Sequence, residues 1–177
     1  MKNILIGSLS LFLLASCKKE IKELPPPTET GANTFGAKVN GTLWAPQGFG
    51  SFPANDILEA RLAGPTEILI NARNFASSPN ETEFEILIAG ISGTGTFQLS
   101  NNVPRGGSLS YGYYVKRNMT PLNEWITSST QGGTVTVTKF DLTNRIIAGT
   151  FQFTANNLYN TPELLTVTEG RFDLKFE

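Results

Sequence analysis

From residue 34 onward the chain alternates apolar and polar residues with a period of two, and this alternation restricts the fold more than any other feature. Val135 and Val137 stand among Thr134, Thr136 and Thr138, and Ile147, Gly149, Phe151 and Phe153 are interleaved with Thr150, Gln152 and Thr154. A strand sends successive side chains to opposite faces, so each run reads as a strand with one face for a core and one for water. No stretch in this part sustains the period of an amphipathic helix. About ten to twelve short strands joined by hairpin turns predict an all-β fold, an antiparallel β-sandwich, with a curved, calycin-like barrel as the alternative.

Turn chemistry fixes several registers. Asn40-Gly41 lies between alternating runs, and a type I′ turn needs positive φ at both central residues. Pairing across it sets Val39 opposite Thr42 and Ala37 opposite Trp44, with Phe35, Ala37, Val39 and Trp44 on the core face. Residues 57–63 and 67–73 pair around Gly64-Pro65-Thr66, setting Leu62 opposite Ile68, Ala60 opposite Ile70 and Leu58 opposite Ala72. Glu59, Arg61, Asn71 and Arg73 then point to water. In residues 81–88, Phe84, Ile86 and Ile88 face inward and Glu81, Glu83 and Glu85 outward. Residues 100–109, with two glycines and a proline, read as a loop.

A four-residue turn at 118–121 sets Tyr114 opposite Trp125 and Tyr113 opposite Ile126. That register assigns Tyr111, Tyr113, Val115 and Ile126 to the core and leaves Tyr114 and Trp125 outside, beside Gly112, Lys116 and Asn123. Flat apolar rings rimmed by ammonium and amide groups suit a carbohydrate or peptide platform, so Tyr114, Trp125, Lys116 and Asn123 are the candidate ligand-binding residues. A second core layer is the other reading, and a slip of one residue would also turn Trp125 inward. Residues 141–145 turn the chain between the two threonine-rich strands. Leu165 and Val167 are expected to meet Leu174 and Phe172 across a Glu169-Gly170 turn, with Phe176 completing the core face.

What the sequence lacks bounds its chemistry. There is no histidine and a single cysteine. This removes the usual zinc sites, Cys-His and Ser-His-Asp nucleophile systems, disulfides and the commonest general base at neutral pH. Gly90-Ile91-Ser92-Gly93-Thr94-Gly95 lacks the Lys-Ser/Thr ending of a phosphate loop and reads as a turn. No catalytic residue, metal site or cofactor is therefore assigned. Catalysis would have to come from carboxylates, such as Glu83 and Glu85 on one strand face, which suit a glycosidase if they stand roughly 5–10 Å apart in a cleft. A row of glutamates on one face is also an ordinary solvated edge that discourages aggregation.

The N-terminus supplies an address. Lys2 precedes an apolar run at residues 4–15 that is too short to span a bilayer and ends in small residues, as a cleaved signal peptide does. Leu14-Ala15-Ser16-Cys17 resembles the lipobox of bacterial lipoproteins. The resemblance implies that Cys17 is alkylated by a diacylglycerol and becomes the acylated first residue, and Lys18, in place of Asp, implies delivery to the outer membrane. Which face of that membrane the chain occupies stays open. Residues 17–33 carry charges of both signs and a proline triplet, a composition expected of a flexible tether with a reach of ~20–25 Å. The domains are then 1–16, signal peptide; 17–33, lipidated cysteine and tether; and 34–177, one all-β domain. Removing residues 1–16 leaves 161 residues, 13 basic and 15 acidic, for a net charge of −2. That balance offers no basic footprint for nucleic acid, and membrane contact falls to the lipid.

Phe35, Ala37, Val39, Asn40, Gly41 and Trp44 form a Phe-x-Ala-x-Val-Asn-Gly-x-x-Trp pattern. It resembles the opening hairpin of small Gram-negative, Bacteroidota-type lipoproteins of unknown function, with weaker echoes in Gly95-Thr96-Phe97-Gln98-Leu99, Gly149-Thr150-Phe151 and Thr168-Glu169-Gly170-Arg171-Phe172. The resemblance implies a lipid-anchored β-domain and transfers no active-site residue. The leading functional expectation is a non-catalytic binding module of the outer membrane with a glycan or protein partner. A lipocalin-like carrier of a small apolar ligand and a carboxylate-based glycoside hydrolase are the alternatives.

Overall fold

The computed structural model describes residues 20–48, 57–76, 80–101, 109–117, 123–159 and 162–177. The apolar leader, Cys17, and most of the segments expected as a loop at 100–109 and a turn at 118–121 lie outside the described residues. Among those described there are eleven strands and no helix: β1 (Thr34–Val39), β2 (Thr42–Trp44), β3 (Leu58–Gly64), β4 (Glu67–Asn74), β5 (Glu81–Ala89), β6 (Gly95–Leu99), β7 (Tyr111–Arg117), β8 (Glu124–Ile126), β9 (Gly133–Asp141), β10 (Ile146–Asn157) and β11 (Leu164–Lys175). All pair antiparallel, in the order β2-β1-β11-β10-β8-β7-β5-β4-β3, with β9 also on β10 and β6 on β9.

β10 is the branch point. Its first eight residues pair with β9 on one side and β11 on the other, and Asn156 and Asn157 continue onto Ile126 and Trp125 of β8. Register shifts between Ala148 and Gly149 and between Phe151 and Phe153 are bulges, which bend a strand and increase its twist. The sheet therefore coils until β3 meets the chain just beyond β11: Leu62 N donates to Glu177 O at 2.8 Å and Glu177 N to Ala60 O at 3.0 Å. The two layers of the expected sandwich are two halves of one coiled antiparallel sheet.

One core fills its interior. Phe35, Trp44, Phe84, Tyr114, Phe151 and Phe153 make a chain of ring contacts with centroids 4.7–6.3 Å apart, several edge-to-face. Ile68, Ile70, Ile86, Ile88, Val135 and Leu174 complete it. The Asn40-Gly41 hairpin has the expected register, with φ of 47° and 79° at its central residues, and the β3–β4 pairs agree at Leu58, Ala60 and Leu62.

The expected Glu169-Gly170 turn does not form. β11 runs unbroken through it because β1 and β10 pair with it on both sides, and the extra residue is absorbed as a bulge with Glu169 at φ 53°.

The described part of the expected tether also differs. From Leu24 to Asn33 the chain forms a strap on the outside of β1 and β11. Asp173, 1 % exposed on β11, accepts from Thr28 Oγ1 at 2.6 Å, Thr30 N at 3.0 Å and Gly31 N at 2.6 Å. Arg171 Nη1 donates to Pro25 O at 3.3 Å, and Asn33 Oδ1 accepts from Lys175 N at 3.0 Å. A Cβ on Gly36 would lie 2.7 Å from Pro25 Cδ, so a bare backbone at 36 lets the strap lie close. A polar segment that buries little apolar area is held here by hydrogen bonds converging on one carboxylate.

Candidate functional site

Tyr114 and Trp125 pair as expected, but their rings face the core. Tyr114 is 3 % and Trp125 1 % exposed, with ring centroids 6.1 Å apart, so they offer no stacking surface. The reason lies in β5. Phe84 pairs with Tyr114, so Tyr114 takes the inward face that Phe84, Ile86 and Ile88 already define. Lys116 and Asn123 are brought to the same place without forming a platform. Lys116 is exposed and caps the end of the core, its Nζ 5.3 Å from the Trp125 ring centre, and its N–H donates to Asn123 O at 2.9 Å. Burial pushes the Tyr114 phenol above its ordinary value, and its hydrogen bond with Thr82 offsets part of that rise.

Tyr111, Tyr113, Val115 and Ile126, expected in the core, instead lie on the outer face with Leu69 and Leu87 as a second apolar cluster. The polar residues expected to point to water share that face, yet several are buried: Asn71 is 5 % exposed, and Glu83 and Glu85 are 4 % each. The registers of β3, β4, β5 and β7 arrange them in rows. Arg61, Leu69, Leu87 and Tyr111 form one row, Glu59, Asn71, Glu85 and Tyr113 the next, and Arg73, Glu83 and Val115 a third. Neighbours in a row stand about 5 Å apart, and successive rows about 7 Å.

The charges in these rows are largely matched. Glu83 Oε1 accepts from Arg73 Nε at 3.2 Å, and its Oε2 is held by Arg117, with Nε at 3.1 Å and Nη2 in contact. Arg73 Nη1 also reaches Glu59 Oε2 at 3.8 Å, and Arg61 Nε lies 3.4 Å from Glu59 Oε1. Glu85 Oε1 accepts from the Tyr111 hydroxyl. On the next strand the Tyr113 hydroxyl donates to Glu124 Oε2 at 2.6 Å.

Over the β3–β5 side of these three rows is a cavity of about 540 Å³ that includes Arg61, Glu67, Asn71, Arg73, Glu83 and Glu85 in its lining. Two groups there are unusual. Asn71 Oδ1 is buried and accepts no hydrogen bond, which costs about 1–3 kcal/mol for a desolvated acceptor. Glu67 has no ion-pair partner among the described residues. Opposite charges facing each other across β4 and β5, as in Arg73 and Glu83, can be read from the alternation once the pairing is known. Burial of the cluster could not, because it depends on how the sheet curves.

The described residues contain no group of three or more His, Cys, Asp or Glu placed to hold a metal ion. A search of protein-family models, of curated proteins and of solved structures finds no match to the chain, so its site is interpreted from its own geometry.

Proposed function

We propose that the chain is a lipid-anchored, non-catalytic binding module of the outer membrane whose contact region is the outer face of β3, β4, β5 and β7. Anchoring is supported by Leu14-Ala15-Ser16-Cys17 and the short apolar run before it. The observation that carries the binding reading is Asn71, a nine-tenths buried side chain with an unsatisfied Oδ1, among the residues that line a cavity of ligand size. A buried acceptor without a donor is an unmet interaction that a ligand can complete.

The alternatives fit less well. A carrier needs interior room, whereas rings from both halves of the sheet fill the interior. A two-carboxylate hydrolase needs a carboxyl group able to attack or to exchange a proton, whereas guanidinium groups occupy both oxygens of Glu83.

Anchoring is tested by fractionating cells that express the wild type and Cys17→Ala, with protease added to intact and to lysed cells. The wild type should sediment with outer membranes and incorporate labelled fatty acid, and the variant should do neither. Unchanged fractionation of Cys17→Ala would sink the anchor. Digestion in intact cells would place the contact face outside the cell, and protection until lysis would place it in the periplasm.

A further inference from the structure

From the donor and acceptor pattern of this cavity we infer that its ligand is a neutral saccharide of about disaccharide size; the inference rests on the binding reading above. The argument begins with charge. Arg61 and Arg73 are in the cavity lining with Glu67, Glu83 and Glu85. A small cation entering there would approach two guanidinium groups, and a small anion would approach three carboxylates. Neither finds a wall of one sign, and the desolvated Glu83 is already neutralised by Arg73 and Arg117.

A hydroxyl group fits both kinds of wall, since it donates one hydrogen bond and accepts others. With a turn of the Asn71 side chain that brings its buried Oδ1 to the cavity, a pair of neighbouring hydroxyls can give a proton to that oxygen and another to Glu67, while a ring or hydroxyl oxygen accepts from Arg61. Arg61 keeps about half its side chain in solvent and pairs only loosely with Glu59 at 3.4 Å, so its guanidinium can turn to a ligand without breaking a buried bond. Leu69 and Leu87, 8 % and 7 % exposed, give the floor an apolar strip suited to the C–H face of a sugar ring.

The recognition would be selective in a definite way. An unpaired Asn71 Oδ1 favours a ligand that carries a donor at that point and penalises a deoxy analogue, because the acceptor then stays buried and unmet.

The test is an NMR titration of the full chain in detergent micelles with three classes of probe: neutral disaccharides (cellobiose, maltose and N,N′-diacetylchitobiose), a diamine (putrescine) and an acidic peptide. Amide shifts in β4 and β5 that saturate with at least one disaccharide are expected. Arg61→Ala, a change at an exposed side chain, should weaken that binding at least tenfold. Asn71→Leu should abolish it without lowering the melting temperature, which separates lost recognition from lost fold. Saturable binding of only the diamine or the peptide, weakened by Arg61→Ala, would overturn the saccharide assignment and leave the contact face standing. Disaccharide binding unaffected by both substitutions would overturn the assignment of the cavity. No saturable binding by any probe would overturn both readings.

Discussion

Asp173 shows how much one side chain can organise. Burial alone would raise its pKa, but the Thr28 hydroxyl and the backbone N–H groups of Thr30, Gly31 and Ala32 outweigh burial and hold it below the ordinary aspartate value. A group whose folded pKa is depressed stabilises the fold fully above its unfolded value, near 3.9, and loses that contribution as the pH falls toward the folded value. Asp173→Asn should therefore cost about 2 kcal/mol at pH 7. The difference from wild type in urea unfolding should shrink below about pH 4; a difference independent of pH would show that the carboxylate charge does not hold the strap. Glycines make a second residue-scale contrast. A Cβ at Gly133 would lie 2.0 Å from Gln152 O, whereas one at Gly41 meets nothing within 4 Å and suffers only from φ 79°. Gly133→Ala should cost more than 3 kcal/mol and Gly41→Ala about 1 kcal/mol, measured by the same unfolding. Asn40-Gly41 was legible because a two-residue turn is specified by the residues that occupy it. Asp173 was not, since nothing around it in sequence names partners more than 140 positions away.

At the scale of elements, β7 and β8 mark the boundary of what alternation can tell. Their mutual register, Tyr114 on Trp125 and Tyr113 on Ile126, followed from the turn length. Their faces did not, because orientation is set by β5, and β6 crosses to β9 between β5 and β7 in the chain. Both sides of β7 carry aromatic residues, so its own pattern does not distinguish inside from outside. Trp125 is consequently a core residue: Trp125→Ala should lower stability by about 3–5 kcal/mol, with loss of cooperative unfolding as the direct readout. An unfolding curve close to wild type would contradict its burial. β11 failed to resolve for a related reason. Glu169-Gly170 is good hairpin chemistry locally, but two neighbouring strands offer β11 more pairing as a continuous strand with a bulge than a turn could. Local preference yields where non-local hydrogen bonds and core packing outnumber it.

For the whole molecule, the strap changes what anchoring at Cys17 would mean. A chain lipidated at Cys17 and free to Asn33 would have 17 residues of slack, or about 58 Å at full stretch; with Leu24 seated against Gly36, the seven residues 17–23 would set an upper bound of about 24 Å. The volume swept from such an anchor falls with the cube of that reach, so seating the strap would shrink it roughly tenfold and would raise the local concentration of the proposed binding face for anything on the same membrane in proportion. If the chain is anchored at Cys17, Asp173 would govern encounter frequency without touching a ligand. In an anchored chain, replacing it should leave intrinsic affinity in solution unchanged and slow capture of membrane-borne targets, and the strap would act as a gearing between bilayer and binding face.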